Sequence, residues 1–140
     1  TDKPLRYCPR SEVGTGLRGA GPSSRQVNNY ALGNDVETSH LLACEVITPG
    51  GNWSSYPAHK HDEHSENERE LEEIYYFEIA SGPDGSAGFG LHRTYGTPER
   101  PIDLCTEVHD GDTALVPHGY HGPCVARPTT GSAPAGKVRR

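Results

Sequence analysis

The 140-residue chain is short, acidic and poor in hydrophobic residues, which make up 32% of it. Its length suits one domain, and its 17 glycines and 12 prolines favour short strands joined by turns over long helices. A net charge of −6 argues against a nucleic-acid surface, which would carry a basic patch. The sequence has no apolar run near the roughly 20 residues that span a bilayer. The first residues lack the apolar core of a signal peptide, so we expect a cytoplasmic protein without membrane or nucleic-acid partners.

The cysteines, Cys8, Cys44, Cys105 and Cys124, are widely scattered and form no Cys-x-x-Cys pair. Cys44 and Cys105 lie in apolar, strand-like segments. We therefore predict reduced, buried thiols of the kind usual in cytosolic proteins. Four cysteines would also permit a disulfide framework, which is the alternative.

Three regions are predicted along the chain. Residues 1–25 are rich in Gly, Ser, Pro and Arg without periodicity, which indicates an extended N-terminal arm. Residues 26–127 contain the strand patterns and form the predicted domain. Residues 128–140 have no strand pattern, and their Pro, Ala, Gly and Arg content predicts a disordered tail.

The predicted strands of the central region are short. The first two are a weak strand at 25–32 and a stronger one at 40–47, which is apolar on both faces as in a packed sheet. A strand over 53–61 would place His59 and His61 on one face, because side chains two apart point the same way. An acidic run at 62–72 follows, which favours a solvated loop or a short helical turn.

Four further strands complete the prediction, at Glu73–Ile79, 87–95, 104–109 and Thr113–Val116. On the first of them, Glu73 shares a face with Tyr75 and Phe77. Short strands at this spacing, without a convincing helix, predict an all-β antiparallel sandwich or small barrel.

Seven of the eight histidines lie between His59 and His121. A His-x-His pair alone would also fit two surface histidines at a strand edge. The segment 111–121 strengthens the signal, because a Gly turn, a short apolar strand and a Pro-x-Gly turn would deliver His121 to the mouth of a barrel. Together with Glu73, three imidazoles and one carboxylate suit a divalent zinc, manganese or iron ion.

These segments resemble the cupin superfamily, whose two motifs pair His-x-His…Glu with Gly…Pro-x-Gly…His. The sequence is more closely similar to the 5-deoxy-glucuronate isomerase family of inositol catabolism, and specifically to the second, metal-bearing half of its two-cupin chains. The resemblance covers residues 25–126. It rests on Glu45-Val-Ile-Thr-Pro-Gly-Gly-Asn-Trp-Ser-Ser-Tyr-Pro57, His59-Lys-His-Asp62, Leu71-Glu-Glu-Ile-Tyr-Tyr-Phe77, Gly88-Phe-Gly90, Asp110-Gly-Asp112 and Val116-Pro-His-Gly-Tyr-His121.

The resemblance implies a cupin-type antiparallel β-barrel, the double-stranded β-helix or jelly roll. It also implies that one divalent metal is held by His59, His61, Glu73 and His121. Glu73 is preferred to Glu72 because its place before Ile-Tyr-Tyr-Phe matches the cupin glutamate.

The implied reaction is the isomerisation of 5-deoxy-glucuronate to 5-dehydro-2-deoxy-gluconate, an aldose–ketose conversion of a small sugar acid. It requires a base with a pKa near the working pH. The candidates by proximity are Glu72, Tyr75 and Tyr95.

The substrate carboxylate could pair with a cationic side chain, Arg93 or Lys60. Arg93 is preferred, because Lys60 points away from the face that carries His59 and His61. His118 stands where the family usually has a basic residue.

Two other functions fit the same ligands: a non-catalytic metal- or sugar-binding cupin, and a ferrous-iron cupin dioxygenase. A further expectation concerns assembly. Family members continue after the Gly-Tyr-His turn with a strand, and in this sequence the tail stands in its place. A missing strand would leave unpaired backbone groups on its neighbour, so we expect a homo-oligomer formed by sharing strands.

Overall fold

In a computed structural model, the chain forms two antiparallel β-sheets that pack on each other. The structure describes residues 3–32, 36–66 and 68–127, and the backbone alone of residues 134–139. The strands are β1 (Gly14–Arg18), β2 (Arg25–Ala31), β3 (Ala43–Pro49), β4 (Trp53–Ser54), β5 (Glu73–Ile79), β6 (Phe89–Tyr95), β7 (Asp103–His109), β8 (Thr113–Val116), β9 (Tyr120–Ala126) and β10 (Pro134–Arg139).

The six-stranded sheet has the order β1-β2-β3-β10-β5-β8, and the four-stranded sheet has the order β4-β9-β6-β7. The helical elements among the described residues are single 3-10 turns at Arg10–Glu12 and Gly21–Ser23. The all-β antiparallel prediction is therefore confirmed. Within the described ranges, no helix has the length and apolar character needed to cross a membrane.

Alternating burial builds the core between the sheets. On β5, Tyr75, Phe77 and Ile79 are buried, whereas Ile74 and Tyr76 on the opposite face are exposed. The inward side chains of this strand meet a contiguous apolar cluster with members from both sheets: Cys44, Val46, Val108, Ala114, Val116 and Cys124. The period of two predicted for β5 is thus the period observed, and it places Glu73 at one end of the inward face.

The N-terminal region differs from the expected arm. Residues Gly14–Arg18 form β1, which pairs antiparallel with β2 from Arg25 to Asn29. Just before it, the Arg10 guanidinium donates a hydrogen bond of 2.9 Å to Asn28 Oδ1 on β2. Backbone pairing needs no hydrophobic periodicity, so a Gly-Thr-Gly-Leu-Arg strand leaves little trace in the sequence. The predicted boundary at residue 25 therefore falls inside one sheet.

The C-terminal region also differs from prediction over the part that the structure describes. Residues Pro134–Arg139 form β10, which lies between β3 and β5. Val138 stands opposite Val46 and Phe77, and Gly136 stands opposite Thr48 and Ile79. The rest of the predicted tail, 128–133 and 140, lies outside the described residues. Strand β10 occupies the place of the strand expected to be missing and is paired on both edges, which removes the reason to expect strand sharing.

Within the part of the chain that the structure describes, the four cysteines form no disulfide, as predicted. Cys44 and Cys124 are buried, but Cys105 is exposed. Cys105 lies on β7, the outer strand of the four-stranded sheet, and alternates with Val108 so that it faces solvent. Its apolar neighbourhood in sequence was therefore a poor guide to its burial.

Candidate metal centre

His59 and His61 do not lie on a β-strand, contrary to the prediction for residues 53–61. Strand β4 ends at Ser54, and Ser55 adopts a positive φ of 52°. His59 then forms an isolated antiparallel bridge with His121. In that bridge the His121 N–H donates to the His59 carbonyl oxygen at 2.9 Å, and the return bond measures 3.4 Å. Backbone pairing with β9, rather than strand alternation, thus brings the two histidines to the third.

The imidazoles of His59, His61 and His121 converge on one point. One ligand atom from each lies within 4.8 Å of the other two, which is the spacing of a group that could hold a metal ion. Nε2 of His121 is 3.2 Å from Nε2 of His59 and 2.9 Å from Oε2 of Glu73. The side chain of His121 is 1% exposed and that of Glu73 is 12% exposed. Nitrogen and carboxylate donors gathered in this way fit a zinc, manganese or ferrous ion.

Strand registers explain why these side chains share one end of the barrel. Glu73 begins β5 and pairs with Val116, the last residue of β8. His121 lies near the start of β9 and pairs with Thr94 near the end of β6. Because neighbouring strands run in opposite directions, the beginnings of β5 and β9 and the ends of β6 and β8 lie together.

Behind the histidine cluster lies a buried polar layer that the sequence analysis did not assign. The Tyr75 ring is 5.7 Å from the His121 ring and 5.2 Å from the His92 ring, between ring centroids. His92 is fully buried, with Nε2 2.9 Å from Thr94 Oγ1 and Nδ1 3.2 Å from Cys124 Sγ. The burial of His92 could have been read from the alternation on β6, where Gly90, His92 and Thr94 are the buried positions. This layer restrains the rings that surround His121.

The acidic run is more organised than a solvated loop. Asp62 and Glu68 both bind the Lys60 ammonium, at 2.7 and 3.0 Å. The backbone N–H groups of Asp62 and Glu63 donate to Glu68 Oε1 at 2.9 and 3.0 Å. His64, by contrast, is exposed as predicted. The loop therefore folds back onto Lys60, the residue between His59 and His61.

Asp62 joins the two segments that carry the histidines. It follows His61 directly, and its Oδ2 accepts a hydrogen bond of 2.9 Å from the Gly119 N–H, two residues before His121. Burial raises the pKa of Asp62, but the hydrogen bonds from Lys60 and Gly119 outweigh it and hold that pKa below its usual range. The hydrogen bond to Asp62 raises the pKa of Lys60 above its usual range, despite opposition from desolvation.

Of the candidate bases, only Tyr75 lies beside the cluster, and its hydroxyl is 3.2 Å from Ser55 Oγ. Glu72 is exposed and precedes β5. Tyr95 lies on the face of β6 opposite to the buried Thr94, and its ring stacks on Tyr120 at 5.4 Å. The structure therefore does not bring Glu72 and Tyr95 to the site.

The two side chains predicted to bind the substrate carboxylate contact other residues instead. Arg93 lies on the same outer face as Tyr95, over whose ring its guanidinium sits at 5.3 Å, and it pairs with Asp103 on β7. Lys60 is held by its three acidic neighbours. Neither side chain lines the cleft beside the histidines.

That cleft is shallow and open, and the space it borders, open solvent included, is about 160 Å³. It is lined by His61, Leu71, Glu73, Val116, His118, Gly119 and His121. A larger cavity, of about 310 Å³, lies at the other end of the barrel. The larger one has a mainly apolar wall that includes Thr48, Phe77, Ile79, Gly90, Val108 and Ala126. Three of the four proposed ligands, His61, Glu73 and His121, thus border the smaller cavity.

The two sheets and the histidine cluster at one barrel end define a cupin-type protein. The chain belongs to the KduI/IolB family, whose model matches residues 1–132. Curated relatives named 5-deoxy-glucuronate isomerase are 49% identical in Geobacillus thermodenitrificans and 39% identical in Bacillus subtilis, each over 119 residues or 84% of this chain. The chain spans 41% and 42% of their respective lengths.

A solved structure supports the fold. The IolB-like protein of Salmonella typhimurium matches 99% of this chain with a TM-score of 0.81 and 34% sequence identity. This chain covers 49% of that protein. The cupin-type fold expected from the sequence is therefore confirmed.

Proposed function

We propose that this chain forms the metal-bearing part of a 5-deoxy-glucuronate isomerase of myo-inositol catabolism. The observation that carries the proposal is the convergence of His59, His61 and His121, with Glu73 beside them, in a family whose curated relatives bear that name. The reaction would move a proton between adjacent carbons and yield 5-dehydro-2-deoxy-gluconate. Because the chain spans only part of its relatives, its own activity is the point to test.

His59, His61, Glu73 and His121 would hold one divalent ion. When bound, such an ion polarises the sugar carbonyl and stabilises the negative charge that develops during proton transfer. A site with three nitrogen donors and one oxygen donor leaves room for substrate oxygen if the ion accepts more than four ligands.

The protein's own groups would supply orientation and an apolar surrounding. Asp62 holds the His61 and His121 segments together through the Gly119 N–H. The buried Tyr75 packs against the His121 ring and keeps water from its inner side. Leu71 and Val116 line the cleft where the sugar would lie, which strengthens electrostatic interactions there.

Conversion of 5-deoxy-glucuronate by the metal-loaded chain, under nitrogen in D₂O, tests the proposal. NMR should show the ketose product with solvent deuterium at the carbon that receives the proton. The His59→Ala/His61→Ala variant is the control and should give no conversion. Full metal occupancy without conversion would favour a non-catalytic binding cupin, and a requirement for iron and oxygen would favour the dioxygenase.

A further inference from the structure

One polar side chain in the cleft has no part in the proposed ligand set. Apart from His61, Glu73 and His121, the lining consists of Leu71, Val116, Gly119 and His118. Of these, only His118 carries a polar group on its side chain. It is therefore the cleft's one lining side chain, outside the proposed ligands, that can recognise a polar ligand by hydrogen bonding.

The tip of the His118 ring is buried without a partner. Its Nε2 is inaccessible to solvent and makes no hydrogen bond within the described part of the chain. Buried polar atoms in folded proteins are nearly always paired, because an unpaired one loses its hydration without compensation. His118 lines the cleft next to a candidate metal centre, and a buried ring nitrogen without a partner among the described residues indicates a group that a ligand completes.

The turn that presents His118 is fixed from both sides. Gly119, the next residue, has a φ of +88°, and a Cβ there would come within 2.7 Å of the Tyr95 carbonyl oxygen. The N–H of Gly119 is held by Asp62 Oδ2 at 2.9 Å. The backbone at His118 is thus set by contacts outside its own side chain, which leaves its ring available to the cleft.

We propose that Nε2–H of His118 donates a hydrogen bond to the carboxylate of the sugar acid in this cleft. The inference rests on the proposed function, and it replaces the roles first considered for Arg93 and Lys60. An imidazole N–H is a suitable donor to a carboxylate oxygen, and the contact is strengthened by the charge of the acceptor. In this arrangement the carboxylate needs none of the proposed metal ligands.

Titration calorimetry of the metal-loaded chain with D-gluconate is the direct test, with sorbitol as the probe that has the same carbon skeleton but no carboxylate. His118→Ala should weaken gluconate binding roughly tenfold or more, the loss expected for a hydrogen bond to a charged group, and leave sorbitol unchanged. His118→Gln, whose amide nitrogen can replace Nε2, should restore most of the affinity. His64→Ala, a change on the exposed part of the acidic run, should bind gluconate like the unmodified chain.

Metal content and thermal unfolding are measured on the same samples, and both should be unchanged in His118→Ala. Loss of metal from that variant would make His118 a ligand and overturn the proposal. Equal gluconate affinity in the variant and the unmodified chain, or absence of gluconate binding altogether, would also overturn it. His118-dependent binding without isomerisation would instead leave this inference standing while refuting the proposed isomerase activity.

Discussion

The two ends of the barrel enclose cavities of opposite character. The end that carries His59, His61 and His121 holds the smaller cleft, of about 160 Å³. The other end holds about 310 Å³ between mostly apolar walls. The proposed site lies at the smaller cleft, because convergent donor atoms can compensate a bound ion or a charged substrate for lost hydration.

Two residues that line the apolar cavity, Thr48 on β3 and Ile79 on β5, stand opposite Gly136 of β10. Thr48 Oγ1 is buried there without a hydrogen-bond partner among the described residues. This end therefore contains a packing defect where the other contains a polar cluster.

The largest expected effect comes from removing the cluster. The His59→Ala/His61→Ala variant should lose its bound metal, because half of the proposed donors are gone. Elemental analysis of protein purified without chelator measures this, and added zinc should raise the melting temperature of the unmodified chain but not of the variant. Thr48→Val, at the opposite end, is the matched control and should keep its metal. Full metal content in the double variant would refute the ligand assignment.

A smaller effect is expected at Asp62, which touches the cluster only through the backbone. Asp62→Ala removes the acceptor for the Gly119 N–H, so the His61 and His121 segments should be held less firmly. We expect metal affinity to fall by roughly tenfold to a hundredfold, the range for lost outer-shell partners. Competition with a chromophoric chelator measures it, and Asp62→Asn should recover part of the loss.

Asp103→Ala is the control for that variant, because Asp103 pairs with Arg93 on the outer face of the four-stranded sheet, away from the cleft. It should bind metal like the unmodified chain. Equal affinity in Asp62→Ala and Asp103→Ala would show that the Asp62 contact has no influence on the metal.

The same ionic cluster predicts an acid dependence of stability. The pKa of Asp62 is held below its usual range chiefly by Lys60 and the Gly119 N–H, against the effect of burial. A carboxylate with a lowered pKa in the folded state stabilises the protein above its unfolded pKa of about 3.9, and this contribution is lost as pH falls through the folded value. Urea unfolding of metal-free protein should therefore separate the unmodified chain from Asp62→Ala at pH 7. The difference should shrink below about pH 4, and a constant difference would contradict this.

The smallest effect is expected in the apolar cavity. Thr48→Val replaces a buried, unpaired hydroxyl by a methyl group of similar size. The free energy of unfolding should rise by about 1 kcal/mol, since the desolvated hydroxyl no longer opposes folding. Urea midpoints at constant m-value measure the change. A clear loss of stability would mean that Thr48 Oγ1 is hydrogen-bonded in solution, and the contrast between the two ends would weaken.

Local pattern determined several features of this protein without any tertiary information. The alternation over Glu73–Ile79 predicted which side chains of β5 are buried. The Gly and Pro punctuation predicted short antiparallel strands. Both features depend on near neighbours in the chain, which is why pattern alone could predict them. The choice of His59, His61 and His121 came instead from the resemblance to cupin motifs, and their convergence depends on the long-range bridge between His59 and His121.

The tertiary structure decided the rest, because it depends on contacts between distant segments. Residues 14–18 and 134–139 carry little hydrophobic pattern and become strands only because a neighbouring strand offers backbone partners. The sequence suggested Arg93 and Tyr95 as site residues, but the inward positions of β6 are Gly90, His92 and Thr94. A chain position shows which groups a side chain carries, but whether that side chain faces a cleft or solvent is settled by what packs against it.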